Sequence, residues 1–138
     1  MKFKNVKNPN QKKVRRFVKI LFPFFWIFLI WKLFPQKDRK FVQIQKTSKK
    51  KTLGLLVFST FFFLGKKILH LELLALDKQK RGQGHGTESL EKLEERARKT
   101  GHNFIFLFSG PFRKKAHNFY RKNGFKQIFK VFFWKKVK

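Results

Sequence analysis

Apolar residues fall in short, separated runs along most of this chain, and one segment after residue 86 shows a clear helical period. Ile68 to Leu76 reads Ile-Leu-His-Leu-Glu-Leu-Leu-Ala-Leu, too short for a typical helix and suited to a largely buried strand, with Asp77 and Lys78 closing it. Leu53 to Phe63 is a second strand, and Gly65-Lys66-Lys67 between the two predicts a hairpin-like turn. Further on, Leu90, Leu93 and Ala97 share one helical face and Gly101 suits the position just past the helix end. Glu88 with Lys92, Glu94 with Arg98 and Glu95 with Lys99 are i,i+4 pairs in the favourable orientation, which leaves the opposite face to water. Phe104 to Phe108 is the next strand. Ser109-Gly110-Pro111 breaks it before a short helix carrying Tyr120, and Phe125 to Trp134 read as a C-terminal hairpin or strand pair.

The N-terminal third follows a different pattern. A basic strand or tail over residues 1–16 precedes Phe17 to Phe34, which is apolar apart from Lys19, Lys32 and the helix-disfavouring Pro23. Its uninterrupted run, Ile20 to Trp31, has 12 residues, whereas a bilayer span needs about 20. That length favours a core helix or a signal-like segment, and no small-x-small cleavage pattern follows it. An uncleaved membrane anchor is the competing reading, because the flanking lysines can snorkel. A polar link then runs to Lys51, with Phe41 to Gln45 as a candidate strand. No internal repeat is apparent.

Between the strand that ends at Leu76 and the helix that starts near residue 86 lies Arg81-Gly82-Gln83-Gly84-His85-Gly86. Glycine lets the backbone approach a ligand without a Cβ, and the first turn of a helix presents amide N–H groups that lack intrahelical acceptors. Those donors and the positive end of the helix dipole favour a pyrophosphate. Two familiar nucleotide loops do not fit. The dinucleotide fingerprint needs an acidic residue about 20 positions on, where this chain has Phe104-Ile105-Phe106-Leu107-Phe108. The P-loop ends in Gly-Lys-Ser/Thr, and Gly86-Thr87 lacks the lysine.

Arg81-x-x-Gly84-x-Gly86 instead resembles the acyl-coenzyme A pyrophosphate loop of the GNAT acetyltransferase superfamily. A second motif stands where that family places it. Ala116-His117-Asn118-Phe119-Tyr120-Arg121-Lys122-Asn123-Gly124-Phe125 is similar to its A-x-x-F-Y-x-x-x-G-F segment, and Phe34-Pro35-Gln36-Lys37-Asp38-Arg39 resembles the Phe-Pro-x-x-Glu-Arg stretch of some bacterial members. Arg113 departs from the asparagine that many members carry three residues before the alanine. The resemblance implies an α/β (α+β) fold, a mixed and mainly antiparallel sheet flanked by helices, in a single domain over 1–138 whose best-matched core is 51–133. It also implies acetyl-CoA as co-substrate and transfer of the acetyl group to a primary amine by direct attack in a ternary complex.

Site residues follow from the same resemblance. Arg81, Gly82, Gln83, Gly84, His85 and Gly86 surround the pyrophosphate, the backbone of Leu74, Ala75 and Leu76 pairs with the pantetheine arm, and Asn118 contacts the coenzyme. Glu72 is the base, working through water. His70 has the parity of Glu72 on a strand and is the reserve base. Tyr120 stands near the thioester sulfur and protonates or positions the departing thiolate. No metal is expected, since His102 and His117 have no companions at ligand spacing.

Composition changes this picture in one respect. The chain has no cysteine, which excludes a disulfide framework, a thiolate nucleophile and a thiolate metal site. Its 35 Lys and Arg against 7 Asp and Glu give a formal +28. Four of the seven acids, Glu88, Glu91, Glu94 and Glu95, are on the one helix after the glycine loop. Such a field attracts coenzyme phosphates, nucleic acid and anionic lipid alike. A basic nucleic-acid-binding or membrane-associated protein with a degenerate, non-catalytic version of the same fold is therefore the alternative to a cytoplasmic enzyme. The acceptor, whether small molecule or protein, is not specified, and a homodimer is open.

Overall fold

The computed structural model describes residues 2–6, 39–45, 52–128 and 130–138. The apolar segment 17–34, most of the Phe34 to Arg39 stretch and the basic residues 7–16 lie outside the described residues. Seven strands form one sheet: β1 (Lys2–Val6), β2 (Lys40–Gln45), β3 (Thr52–Phe63), β4 (Lys66–Leu76), β5 (Phe104–Phe108), β6 (Lys126–Ile128) and β7 (Phe132–Lys136). Their order is β1-β2-β3-β4-β5-β7-β6. Every neighbouring pair is antiparallel except β4 with β5. A parallel pair needs a crossover, and helix α1 (His85–Lys99) supplies it. A second helix, α2 (Lys114–Lys122), connects β5 to β6. The mixed, mainly antiparallel sheet with helices is therefore the fold observed.

One face of the sheet makes the core with the helices. Val42, Ile44, Leu56, Phe58, Leu69, Leu71, Ile105, Leu107 and Phe133 are buried there against Leu90, Leu93 and Ala97 of α1 and Tyr120 of α2. The apolar face of α1 is the one its spacing predicts. Its C-terminus also closes as expected: Gly101 takes φ +72°, its N–H bonds the Arg98 carbonyl at 3.1 Å, and the His102 N–H bonds the Ala97 carbonyl at 2.8 Å. His102 then ties the helix end to β3, with Thr100 Oγ1 at 2.8 Å from one ring nitrogen and Thr60 Oγ1 at 2.9 Å from the other. Among the predicted surface pairs, Glu88–Lys92 and Glu95–Lys99 form at 3.4 and 2.6 Å. Glu94 does not pair with Arg98. Its carboxylate accepts from Lys135 of β7 at 2.6 Å, which fastens the helix to the far side of the sheet.

Two local details differ from the sequence expectation. The β3–β4 turn is Leu64-Gly65, not Gly65-Lys66-Lys67, because Phe63 pairs with Lys66 and both lysines are in the strand. Both turn residues have positive φ, +47° and +71°, as a two-residue hairpin turn of matching twist requires. Leucine fits that backbone poorly, whereas asparagine tolerates it. Leu64→Asn is expected to raise stability by about 1 kcal/mol, read as a higher denaturant midpoint at unchanged slope.

The second difference is a bulge. Val57 pairs with Leu73 and Phe58 with Leu71, so Glu72 is an extra residue in β4. Leu69 and Leu71 before it, and Leu74 and Leu76 after it, all reach the core, which an unbroken strand cannot achieve.

No helix among the described residues is long and apolar enough to cross a membrane.

Candidate active site

β4 and β5 lie side by side only along the first half of β4. Ile68–Leu71 pair with Phe104–Leu107, and beyond Leu71 no described strand continues the pairing on that edge. On the other edge β4 stays paired with β3 to Leu76, and the Asp77 N–H bonds the Leu53 carbonyl at 2.9 Å. Backbone groups alternate along a strand, so Leu74 and Leu76 turn their N–H and C=O towards the gap that opens between β4 and β5. Gly54 permits the close β3–β4 approach here, because a Cβ on it would collide with the Ala75 carbonyl.

The glycine segment closes the wide end of that gap. Asp77 accepts the Gln79 N–H at 3.3 Å and starts a single 3₁₀ turn, Lys78–Lys80. Arg81 Nε then donates to the Leu76 carbonyl at 3.2 Å, and the Gln83 side-chain amide donates to the Gln79 carbonyl at 3.1 Å. Gly82 and Gly84 take φ +75° and +80°, values that L side chains rarely adopt. A Cβ on either would meet nothing within 4 Å, so the space beside them is open. Glu88 makes the first backbone bond of α1, to Gly84, and the amides of the preceding turn have no intrahelical acceptor. Gly86 has a different task. A Cβ there would press on the Phe119 ring at 3.0 Å, so its absence lets the start of α1 rest on α2. The structure thus brings Leu74, Leu76 and Arg81 to Gly86 together, whereas Ala75, expected among them, pairs with Leu55 and turns its backbone groups to β3 because they alternate along the strand.

His70 and Glu72 are on the other face of the sheet. Glu72 Oε2 pairs with Arg39 Nε at 2.6 Å, and the two side chains are 4% and 8% exposed. The His70 ring packs in an aromatic group with Phe106 at 5.5 Å, Phe108 at 6.0 Å and Phe61 at 6.5 Å between centroids. Burial holds its pKa down at about 4, against the opposing pull of Glu72 and with a smaller contribution from Arg39. The ring is therefore neutral at pH 7. An unfolded chain binds this proton first, near pH 6.5, so the associated stability is complete above that pH and is lost as pH falls from 6.5 towards 4. The loss is expected to reach about 3 kcal/mol at most. Urea melts at pH 7 and 4.5 should show a smaller acid loss for His70→Gln than for the native chain.

Tyr120 is on the helix side of the sheet, between Phe125 at 5.8 Å and Phe133 at 5.6 Å, and burial raises its pKa, which keeps the phenol protonated. Asn118 is exposed. Its amide oxygen accepts from Arg121, which also donates to Gln127 at 2.6 Å, so the side chain is bound towards β6. The residue of α2 that meets the glycine segment is Phe119. His117 fastens α2 to the preceding loop through the Gly110 carbonyl at 2.9 Å. Among the described residues no group of three or more His, Asp or Glu is placed to hold a metal ion.

A strand gap opening onto a glycine-capped helix start is the arrangement on which acyl-coenzyme A transferases of one fold are built, and the sequence agrees with it: the model of the Acetyltransferase (GNAT) family matches residues 13–125. The chain belongs to the GNAT acetyltransferase family. GNAT enzymes use acetyl-CoA as co-substrate. Solved structures with the same fold include Tetrahymena GCN5, with 16% identity, a TM-score of 0.71 and coverage of 100% of this chain and 97% of that one. An acetyltransferase of the GNAT family from Staphylococcus aureus Mu50 has 13% identity, a TM-score of 0.74 and coverage of 99% of both chains. A spermidine N-acetyltransferase SpeG chimera from Vibrio cholerae and hSSAT has 11% identity, a TM-score of 0.75 and coverage of 99% and 97%. No curated protein matches the sequence.

Sequence reading missed three residues of this candidate site. Gly54 left a signal, a lone glycine inside an apolar strand, which marks close backbone approach. Arg39 was visible only as the end of a short motif, with nothing to join it to Glu72. Phe119 belongs to a motif, and nothing in the sequence marks it as the surface against which Gly86 packs.

Proposed function

We propose that the protein is an N-acetyltransferase that moves the acetyl group of acetyl-CoA to a primary amine by direct attack in a ternary complex. The observation that carries this reading is the parting of β4 from β5 directly beside the Arg81 to Gly86 segment. The gap offers an extended arm the backbone of Leu74 and the N–H of Leu76, whose carbonyl Arg81 already holds, and the loop offers a pyrophosphate its amides together with the charge of Arg81. Gly82 and Gly84 leave that approach clear, Gln83 braces the loop, and His85 contributes its amide as the first residue of α1.

The chemistry then needs three proton movements: off the ammonium, off the nitrogen once it has attacked, and onto the departing thiolate. An alkylammonium acceptor must lose a proton before its nitrogen can attack, and Glu72 takes it through water. The neutral amine forms the C–N bond at the thioester carbonyl, and the C–S bond breaks as the tetrahedral intermediate collapses. Tyr120 gives its proton to the departing thiolate, and the proton that the nitrogen sheds as it becomes the amide restores the phenol. Glu72 and Tyr120 lie on opposite faces of the sheet, and this mechanism requires both to reach the acetyl group through the gap. A neutral His70 with a pKa of about 4 is poorly matched to deprotonating an ammonium, and it serves as a wall of the acceptor side.

The direct test follows thiol release from acetyl-CoA across a panel of primary amines. With no cysteine in the chain, the protein adds no thiol of its own to the signal. Amine-dependent release supports the reading, and coenzyme binding without any amine-dependent release overturns its catalytic part. In the same assay Tyr120→Phe is expected to lower kcat by about 10- to 100-fold with little change in the KM for acetyl-CoA. The ring keeps its aromatic neighbours, so folding should be unaffected.

A further inference from the structure

The tip of the β3–β4 hairpin carries three consecutive large apolar side chains in water: Phe62, Phe63 and Leu64 are 72%, 60% and 85% exposed. The remaining exposed large hydrophobics among the described residues, Phe112 and Ile128, are single side chains of the kind any surface carries. The hairpin also projects. Among the described residues β3 is paired with β2 only as far as Phe58, and β4 meets β5 only from Ile68, so the last residues of the ribbon stand beyond both of these neighbours. Leu64 is there in spite of a positive φ that asparagine or glycine would accept more easily.

Behind the tip is a basic collar. Lys67 and Asn103 exchange hydrogen bonds, with Lys67 N donating to Asn103 Oδ1 at 2.9 Å and Asn103 N to the Lys67 carbonyl at 2.8 Å. The Val137 N–H bonds the Asn103 carbonyl at 2.9 Å, which brings Lys136 and Lys138 alongside. Lys67 Nζ reaches the Thr100 carbonyl at 2.8 Å, adding Arg98 and Lys99 at the end of α1, and Lys66 is exposed on the strand itself. The nearby acid Glu95 is already paired with Lys99.

We infer that this hairpin tip seats in the headgroup region of an anionic phospholipid bilayer, with Phe62, Phe63 and Leu64 entering the acyl boundary and the collar lysines meeting lipid phosphates. Apolar side chains backed by lysines match both layers of such a surface. A second copy of the chain is a poorer occupant, since a two-fold contact through the tip would set each collar against its like. The geometry leaves the coenzyme side accessible. β4 runs from the tip to the glycine loop over 11 residues, which at about 3.3 Å per residue holds the loop on the order of 30 Å from the membrane.

The test uses the full chain with vesicles of phosphatidylcholine alone or with 30% phosphatidylglycerol (about 3:7), in about 0.1 and 0.5 M salt. General attraction by the +28 charge should fade at high salt, whereas an inserted tip retains binding. Phe63→Ser with Leu64→Asn is expected to weaken that salt-resistant partitioning at least tenfold, and Leu64→Asn favours the turn, so the variant still folds. Because the chain has no cysteine, Leu64→Cys and Lys78→Cys each accept one environment-sensitive fluorophore. The label at 64 should shift to the blue and be quenched by brominated acyl chains, and the label at 78 should do neither. Equal partitioning of native and variant chains with an unquenched label at 64 overturns the inference. So does a native dimer that Leu64→Asn converts to monomer, or binding only to a soluble protein through the tip.

Discussion

Replacing Gly84 with glutamate is expected to weaken acetyl-CoA binding by on the order of a hundredfold or more while leaving the chain folded. Three features of position 84 combine. Its φ of +80° imposes a strain of about 1 kcal/mol on any residue with a Cβ. A Cβ there meets no protein atom within 4 Å, so a longer side chain has room to extend into the space proposed for the pyrophosphate. A carboxylate in that space repels phosphate and occupies the N-terminal amides itself. Gly84→Ala carries the strain without the charge and should cost only a few-fold. Calorimetry at moderately high salt, with ATP as an anion control, separates these effects. Equal, salt-sensitive affinity of both chains for acetyl-CoA and ATP would mean that the +28 charge alone accounts for binding, and the coenzyme site would have to be abandoned.

Glu72→Gln is expected to lower kcat by about 10²- to 10³-fold with coenzyme affinity intact, if Glu72 is the base. The same substitution also leaves the buried Arg39 guanidinium without its carboxylate, a loss of about 3–5 kcal/mol in stability. These two consequences must be read apart. Arg39→Met combined with Glu72→Leu removes both charges and should return stability close to that of the native chain, since a buried pair replaced by apolar groups is often neutral. Activity should not return. A stable double variant that still releases thiol at the native rate would exclude Glu72 as base and leave the pair a purely structural role.

The parts of this fold that could be read from sequence are those whose determinants lie within a few residues of one another. The α1 face, its Gly101 terminus and β5 at Phe104–Phe108 came from periodicity and from one glycine, and the structure repeats them. The hidden parts depend on distant partners. The bulge at Glu72 cannot be seen because Leu73-Leu74-Ala75-Leu76 is apolar at every position, so no alternation records which side chains face the core. Glu94 had a suitable partner four residues on, and it took a lysine from β7 instead, because tertiary packing placed that amine closer. The turn was misplaced because its first residue is a leucine in a conformation that ordinarily announces itself as asparagine or glycine. In the candidate site the loop was legible for the same local reason, while Arg39 and Gly54 matter only through what the fold brings opposite them.

The parted strands have a consequence for the life of the protein in a cell. An unpaired strand edge is a template for other chains, and here such an edge lies within the sheet, at Leu74 and the N–H of Leu76, where no described strand pairs with β4 and only the Leu76 carbonyl is covered, by Arg81. A bound molecule that fills the gap would act as a surrogate strand, masking the edge and stabilising the native state by mass action, by about 2.7 kcal/mol at a hundred times its Kd. The amount of intact protein would then follow the supply of that molecule, and starvation for it would show first as aggregation or turnover before any shortage of product.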